Sequence, residues 1–354
     1  MGRIIQVRDP ADRQREINES SQNQHYVSQV LQRRFADDGF LERFDLKWNK
    51  WKRVATAQIF TRLAYSQLFA YGHHDNSLDE SFQKCENALN ETLNALDDAT
   101  KQDTTELTEP ACTNLFLYCA YLWRMSPFVK AIAPFEYALQ LDLDLKNGKT
   151  DLLEEVGVKQ EDIVTIRLLY AQGKKFIPAG ENLLQVLFRI QFRRKCPELY
   201  QWLRYFCNWT IYSSPITMPI ADMPFFSFNE HGVPLYIFTI SPTHVLIGKT
   251  PSGTFQSHAN TTLRTNVFTT SEAEYIRDAI CLSALTAVAS KDRSIDVLGA
   301  RARAKEMGVR FPVIKSLESV FQAGQKEFTD LLRIVPVSED VFREFKKSFF
   351  EMPT

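Results

Sequence analysis

Three residues from distant stretches of the chain, His25, Arg124 and Asp222, have side chains suited to act together on a phosphate ester. An imidazole titrates near neutral pH, so His25 is a candidate general base or metal ligand. A guanidinium keeps its charge and grips an oxyanion twice, which suits Arg124 to clamp the anionic group. Asp222 is placed to orient the imidazole or to bind a divalent metal ion. The set predicts a hydrolase of phosphate-containing substrates, a nuclease or a nucleotide hydrolase, provided that the three side chains converge.

Two further polar residues are secondary candidates for this site. Glu86 lies on a predicted amphipathic helix, and Asn266 precedes a predicted late helix. Buried ionic networks contain the same residue types as active sites, so a structural alternative stays open. In that alternative His25 braces the first helix, Arg124 pairs with Glu86, and Asp222 makes a turn beside a proline.

A different group of residues favours a non-catalytic module that binds nucleic acid or another protein. Aromatic and cationic side chains occur together in one predicted hairpin: Lys47, Trp48, Lys50, Trp51, Lys52 and Arg53. Such side chains stack on bases while they neutralise phosphates. The structural alternative is a half-exposed hairpin that packs both tryptophans on the core, since tryptophan is mostly buried in folded chains.

These candidates need a scaffold, and the spacing of apolar residues predicts one made of helices and short strands. Phe40–Val54 alternates as a two-stranded hairpin does, and Leu78–Leu96 carries one apolar stripe. Ser271–Ala289 reads as a helix with Ser271 as N-cap and Glu274 completing a capping box. Further helices are predicted at 26–35, 115–125, 129–141, 163–171 and 181–206, and short strands at 208–250. The fold class is therefore α+β, predominantly helical, with an N-terminal hairpin and a small antiparallel sheet around 208–250.

The domain organisation follows from where the patterns begin and change. Residues 1–22 are polar and lack periodicity, which predicts a flexible N-terminal arm. Residues 23–354 are predicted to be a single globular unit. A candidate division falls near 208, between a hairpin-plus-helical part at 23–207 and a sheet with C-terminal helices at 208–354.

Composition narrows the partners and the compartment. The formal net charge is -1, so no long-range field steers the whole molecule to a polyanion, and nucleic acid or nucleotide binding has to be local. The longest apolar run, Leu115–Trp123, is too short to cross a bilayer, so we expect no membrane association. The charged N-terminus lacks the apolar block of a secretory signal, which predicts a cytoplasmic protein. The six cysteines lack zinc-site spacing and are expected to be buried.

Three short motifs occur at Gln24–Gly39, Leu122–Pro127 and Ile220–Pro224. In this order they resemble three segments of the bacterial "domain of unknown function 4238" family, namely its opening with the hallmark His-x-x-Pro, its arginine and proline segment, and its Ser-Asp-x-Pro turn. Ser28 stands where the hallmark has proline, and Ala221 where the turn has serine. The resemblance spans about residues 22 to 290 and implies no established reaction, so function has to be argued from residues.

Overall fold

The structure is a computed structural model, and the residues that it describes fall in several ranges. They are 23–63, 68–70, 73–75, 77–99, 104–126, 141, 143–155, 160–172, 196–230, 233–250 and 262–309. The predicted N-terminal arm, the helix predicted at 129–141 except for residue 141, and residues 181–195 of the helix predicted at 181–206 lie outside these ranges.

The described residues form helices and strands of an α+β protein, as the sequence predicts. The helices are α1 (Gln29–Phe35), α2 (Ser77–Ala99), α3 (Glu109–Met125), α4 (Asp151–Glu155), α5 (Gln160–Ala171), α6 (196–205), α7 (Thr270–Ser283) and α8 (Val297–Glu306). The strands are β1 (Asn23–His25), β2 (Phe40–Asp45), β3 (Lys50–Ala55), β4 (Thr61–Leu63), β5 (Leu68–Ala70), β6 (His73–Asp75), β7 (Thr104–Glu106), β8 (Asn208–Ser213), β9 (Ile220–Ala221), β10 (Phe225–Glu230), β11 (Val233–Ser241), β12 (His244–Lys249), β13 (Thr262–Val267) and β14 (Ala287–Ser290).

The larger sheet has six strands in the order β10-β11-β12-β8-β13-β7. All its pairs are antiparallel except β8 with β13, which is parallel. Trp209 of β8 lies under Phe116 of α3, with ring centroids 5.0 Å apart. Its cross-strand partner is Gly248, where a β-carbon would lie only 2.7 Å from the indole ring. Helix α3 therefore packs on this sheet through an aromatic contact that requires glycine opposite the tryptophan.

The smaller sheet holds the predicted hairpin. Its order is β3-β2-β14-β9, all antiparallel, so β2 lies inside the sheet and β3 is an edge strand. Two-stranded ribbons pair β1 with β4 and β5 with β6. The N-terminal hairpin of the sequence prediction is thus confirmed, and β14 of the C-terminal half completes its sheet.

Strands from before and after the candidate division near 208 pair with one another. Strand β7 pairs with β13, and β2 pairs with β14, so each large sheet takes strands from both sides of that position. The indole N–H of Trp209 also donates to the carbonyl of Leu203, at 2.8 Å. A cut near 208 would separate partners in both sheets.

The late helix differs from its prediction at both ends. The N-cap of α7 is Thr269 and the capping-box acid is Glu272, two residues before the predicted Ser271 and Glu274. Two overlapping patterns with the same spacing occur here, and the geometry selects the first. The helix ends at Ser283, and residues 287–290 form β14 rather than a continuation of the helix.

Burial of the cysteines agrees with the sequence prediction. All six cysteines are free and buried, and burial raises the pKa of each thiol. Within the described ranges, none of the helices combines the length and apolar character needed to span a bilayer.

Candidate functional site

His25 is a half-buried imidazole at the end of β1, directly before helix α1. Its Nε2 lies 3.2 Å from the carbonyl oxygen of Thr56, so Nε2–H donates there and Nδ1 is left to accept. The side-chain nitrogen of Gln29, the first residue of α1, lies 3.2 Å from Nε2 and 3.4 Å from Nδ1. Burial lowers the pKa of His25, the Thr56 carbonyl opposes this, and the Arg33 charge adds to the lowering. The imidazole is therefore neutral near pH 7 and braces α1 against the residues after β3.

Asp222 has no exposed surface, and both of its carboxylate oxygens accept hydrogen bonds. Oδ1 accepts from the backbone N–H of Leu285 at 2.9 Å. Oδ2 accepts from the N–H of Thr286 at 2.6 Å, from its hydroxyl at 2.5 Å, and from the N–H of Ala287 at 3.3 Å. Burial raises the pKa of Asp222, and these four donors oppose that shift. The carboxylate holds the chain as it enters β14, and in this conformation it has no surface that a substrate could contact.

A second charged residue completes the same corner between α7 and β14. One guanidinium nitrogen of Arg301, from α8, donates to the carbonyls of Cys281, Leu282 and Ala284, at 2.7, 3.2 and 2.8 Å. These carbonyls end α7, where the helix itself supplies no donor. Asp222 thus accepts hydrogen bonds from the amides that follow the corner, and Arg301 donates hydrogen bonds to the carbonyls that precede it. Both residues therefore have a structural role.

Arg124 and Glu86 lie on the neighbouring helices α3 and α2. Arg124, in the last turn of α3, is close enough to Cys196 to oppose the effect of burial, which raises the pKa of that thiol to about 12. Burial raises the pKa of Tyr118, the nearby charge of Glu86 adds to this rise, and Ser28 is close enough to oppose it. Ser28 also caps α1, since its hydroxyl accepts from the N–H of Val30 at 3.1 Å. Glu86 and the His-x-x-Pro-like segment thus meet through Tyr118 at the junction of α1, α2 and α3.

The three predicted catalytic residues have separate surroundings. In the part of the chain that the structure describes, His25, Arg124 and Asp222 share no hydrogen bond or ion pair with one another. Asn266 is exposed on β13, and its side-chain oxygen accepts from the next backbone N–H at 2.8 Å. Among the described residues, no group of three or more histidine, cysteine, aspartate or glutamate side chains could hold a metal ion.

A cleft of about 390 Å³ opens along α5 and involves none of the candidate residues. The described residues that line it are Leu145, Val164, Arg167, Leu168, Tyr170 and Ala171. Most of these belong to one face of a single helix.

The residues predicted for binding share one hairpin, and we call Lys47, Trp48, Lys50, Trp51, Lys52 and Arg53 the hairpin surface. Side chains alternate along β3, so Lys50 and Lys52 project to the face opposite that of Trp51 and Arg53. At its tip the carboxylate of Asp45 accepts from the N–H groups of Lys47 and Trp48, at 3.0 and 3.3 Å, which closes the turn. Asn49 completes the turn with a φ of 50°, a conformation that asparagine tolerates. The Trp48 side chain is 70% exposed, and the Lys47 ammonium lies 5.2 Å from its ring centroid.

The two tryptophans of the hairpin surface have different environments. Trp51 is half-buried and packs edge-on against Phe44, with ring centroids 5.3 Å apart. Packing of a tryptophan on the core is therefore found for Trp51, whereas Trp48 projects into solvent. The sequence could not separate the two, because both belong to the same alternating segment.

In the described part of the chain, the cations of the hairpin surface have no acidic partner, while three other cations near it are paired. Arg43 contacts Asp45 at 3.1 Å, Arg293 contacts Glu42 at 2.8 Å, and Lys291 contacts Asp37 at 3.8 Å. Within the described ranges no carboxylate lies within ion-pair distance of the exposed residues Lys47, Lys50, Lys52 and Arg53. Four positive charges therefore face water on a protein of net charge -1.

Sequence reasoning missed one polar cluster, where α1, α2 and the turn between β11 and β12 meet. The Nδ1 atom of His244 lies 3.2 Å from the hydroxyl of Ser241 and 3.7 Å from a carboxylate oxygen of Asp97. Arg34 pairs with the same Asp97 and donates to the Ile240 carbonyl at 3.2 Å. The residues are far apart in sequence and form no motif, so only the fold reveals them.

No family model, curated protein or solved structure matches this chain. The resemblance of its three motifs to the domain of unknown function 4238 family therefore stays a prediction, and the function has to rest on the geometry above.

Proposed function

We propose that this protein binds nucleic acid through the hairpin surface. The observation that carries the proposal is Trp48, a 70% exposed indole with the Lys47 ammonium over its ring, on a hairpin that carries three further exposed cations. The hydrogen bonds of Asp45 to the N–H groups of Lys47 and Trp48 hold the turn that carries this indole. An exposed aromatic ring with a cation over it, on a hairpin with further exposed cations, suits the binding of bases and phosphates.

A purely structural reason exists for part of this surface. Strand β3 is a sheet edge, and lysines on edge strands prevent pairing with other chains. Edge protection accounts for Lys50 and Lys52. It does not account for Trp48, because an exposed indole at an edge promotes association instead of preventing it.

Binding to a polyanion is tested by its dependence on salt. Release of counterions makes the logarithm of affinity fall with the logarithm of salt, with a slope of about 0.7 to 0.9 per neutralised phosphate. We expect the double variant Lys50→Gln/Lys52→Gln to lower this slope by about 1.5 and to weaken binding at every salt concentration. Fluorescence anisotropy with a labelled single strand and a duplex of the same sequence measures both quantities.

The matched control removes two exposed lysines elsewhere, in Lys84→Gln/Lys149→Gln. Both double variants have the same net charge, so only a local contribution of the hairpin surface makes them differ. Equal binding by the two variants, or no binding of either probe by the native protein, overturns the proposal.

A phosphodiester or nucleotide hydrolase is the second candidate, and one observation favours it. Burial lowers the pKa of His25, so its imidazole is a neutral base at pH 7, as a general base has to be. In this candidate Arg124 keeps its predicted role of gripping the anionic group, whereas the buried Asp222 supports the fold and has no role in the chemistry. The assay follows cleavage of RNA, DNA and nucleotides with and without Mg²⁺, comparing the native protein with His25→Ala.

Circular dichroism establishes that the His25→Ala variant is folded. Turnover that disappears in the variant supports the hydrolase. Turnover that persists removes His25 from the chemistry.

A further inference from the structure

The hairpin surface carries more than charge, because two aromatic rings on this hairpin each have a cation over one face. Lys47 lies 5.2 Å from the ring centroid of Trp48, and the Arg53 guanidinium lies 5.1 Å from that of Phe40. Both rings are exposed, Phe40 to 43% and Trp48 to 70%. Each pair therefore presents an apolar ring and a positive charge at one place.

Strand register sets the spacing of these rings. Phe44 is opposite Trp51, and Phe40 is opposite Ala55, so Phe40 and Trp51 project from the same face of the hairpin. Four residues separate the two pairs, which is about 14 Å along the strand. Trp48 follows at the tip, beyond Trp51. The hairpin thus carries a row of three rings in the order Phe40, Trp51 and Trp48, of which the first and the last are exposed and Trp51 is half-buried.

Such a row distinguishes the two forms of nucleic acid. In a duplex the bases are stacked on one another and paired, and only their edges and the phosphates are accessible. In a single strand the flat faces of the bases are free to stack on aromatic side chains. Cations alone bind both forms, whereas exposed rings add binding energy only for the single strand.

We infer that the hairpin surface selects single-stranded over double-stranded nucleic acid by stacking a base on Trp48 while Lys47 neutralises the adjoining phosphate. This inference rests on the proposed nucleic-acid binding. Stacking does not involve the sugar 2′-hydroxyl, so single-stranded RNA and DNA are both ligands.

The test compares three labelled probes of equal length and sequence, namely single-stranded RNA, single-stranded DNA and duplex DNA. We expect the native protein to bind both single strands roughly tenfold more tightly than the duplex. Trp48→Leu keeps an apolar side chain without a ring, so the ratio of the Kd for the duplex to the Kd for a single strand should fall toward one. Trp48→Phe restores a stacking ring and should recover most of the preference. Trp202→Phe, at a 37% exposed indole on α6, is the matched control and should bind like the native protein.

The possible outcomes distinguish strand selection from the proposed nucleic-acid binding on which it rests. Salt-dependent binding of all three probes with equal affinity leaves nucleic-acid binding in place and overturns strand selection. An unchanged preference in Trp48→Leu, with circular dichroism showing a folded protein, also overturns it. Failure of every probe to bind removes the proposed function itself.

Discussion

Asp222 shows how a residue with catalytic chemistry can serve the fold. Its two oxygens accept four hydrogen bonds at the entry to β14, and it has no exposed surface. Asp222→Asn replaces one acceptor oxygen by an NH₂ group that faces backbone donors. We expect it to lower the free energy of unfolding by about 2 kcal/mol, measured by urea denaturation.

The control for this prediction is Glu274→Gln, which neutralises an exposed carboxylate on α7 and should change stability by less than about 0.5 kcal/mol. If Asp222→Asn is as stable as the native protein, the hydrogen bonds at the corner contribute little.

His244 makes the stability of the protein depend on pH. Burial lowers its pKa from 6.5, the Asp97 charge opposes this, and the Arg34 charge adds to the lowering. Above pH 6.5 the imidazole is neutral in the folded and the unfolded chain. Below it the unfolded chain takes up the proton first, so stability is lost as the pH falls toward the folded-state pKa.

The measurement is the free energy of unfolding at pH 7.5 and at pH 5.5. We expect His244→Gln to show a smaller decrease than the native protein, because glutamine keeps polar contacts and does not titrate. The same decrease in both proteins would show that other groups set the pH dependence.

Strong periodicity of apolar residues made the hairpin and the long helices predictable. The ends of helices were less predictable, because more than one capping pattern can occur in the same segment. The apolar stripe of Leu78–Leu96 becomes α2, and the alternation of Phe40–Val54 becomes β2 and β3. The segment Ser271–Ala289 contains two overlapping capping patterns and an apolar run that continues into β14. The end of this segment is a strand because it pairs with β2, which is distant in sequence. The local pattern of one segment does not contain that information.

The ends of α7 give a direct test of the cap. Thr269→Ala removes the side-chain acceptor for the Glu272 N–H, at 3.3 Å, and should cost about 1 kcal/mol of stability. Ser271→Ala changes the predicted cap, which the structure places inside the first turn, and should have an effect below about 0.5 kcal/mol. Thermal denaturation of both variants decides between them, and a larger effect at Ser271 would contradict the observed helix start.

The candidate site was predictable in its parts and not in its assembly. Residue type alone marked His25 as a candidate general base or metal ligand that titrates near neutral pH, and Trp48 as an aromatic residue among cations. Whether three side chains from segments about a hundred residues apart share a cleft depends on tertiary packing, which a single sequence does not encode in any local pattern. The same limit hid the His244, Asp97 and Arg34 cluster, whose members come from three different elements.

At the scale of the whole molecule, the six-stranded and the four-stranded sheet each contain strands from both sides of residue 208. We therefore expect the chain to unfold in one cooperative transition, because neither side can lose its strands alone. Urea denaturation followed by tryptophan fluorescence and by far-ultraviolet circular dichroism should give coincident curves. Two separate transitions would show that the parts on either side of 208 fold independently.

The six buried thiols can report how often the folded structure opens locally. A thiol reagent reacts only with an accessible thiolate, and each cysteine is both covered and shifted toward the protonated form. In native buffer the rate of labelling then reports how often each region exposes its interior. Mass spectrometry of the labelled peptides would rank Cys85, Cys196 and Cys281 by that frequency without any substitution in the chain.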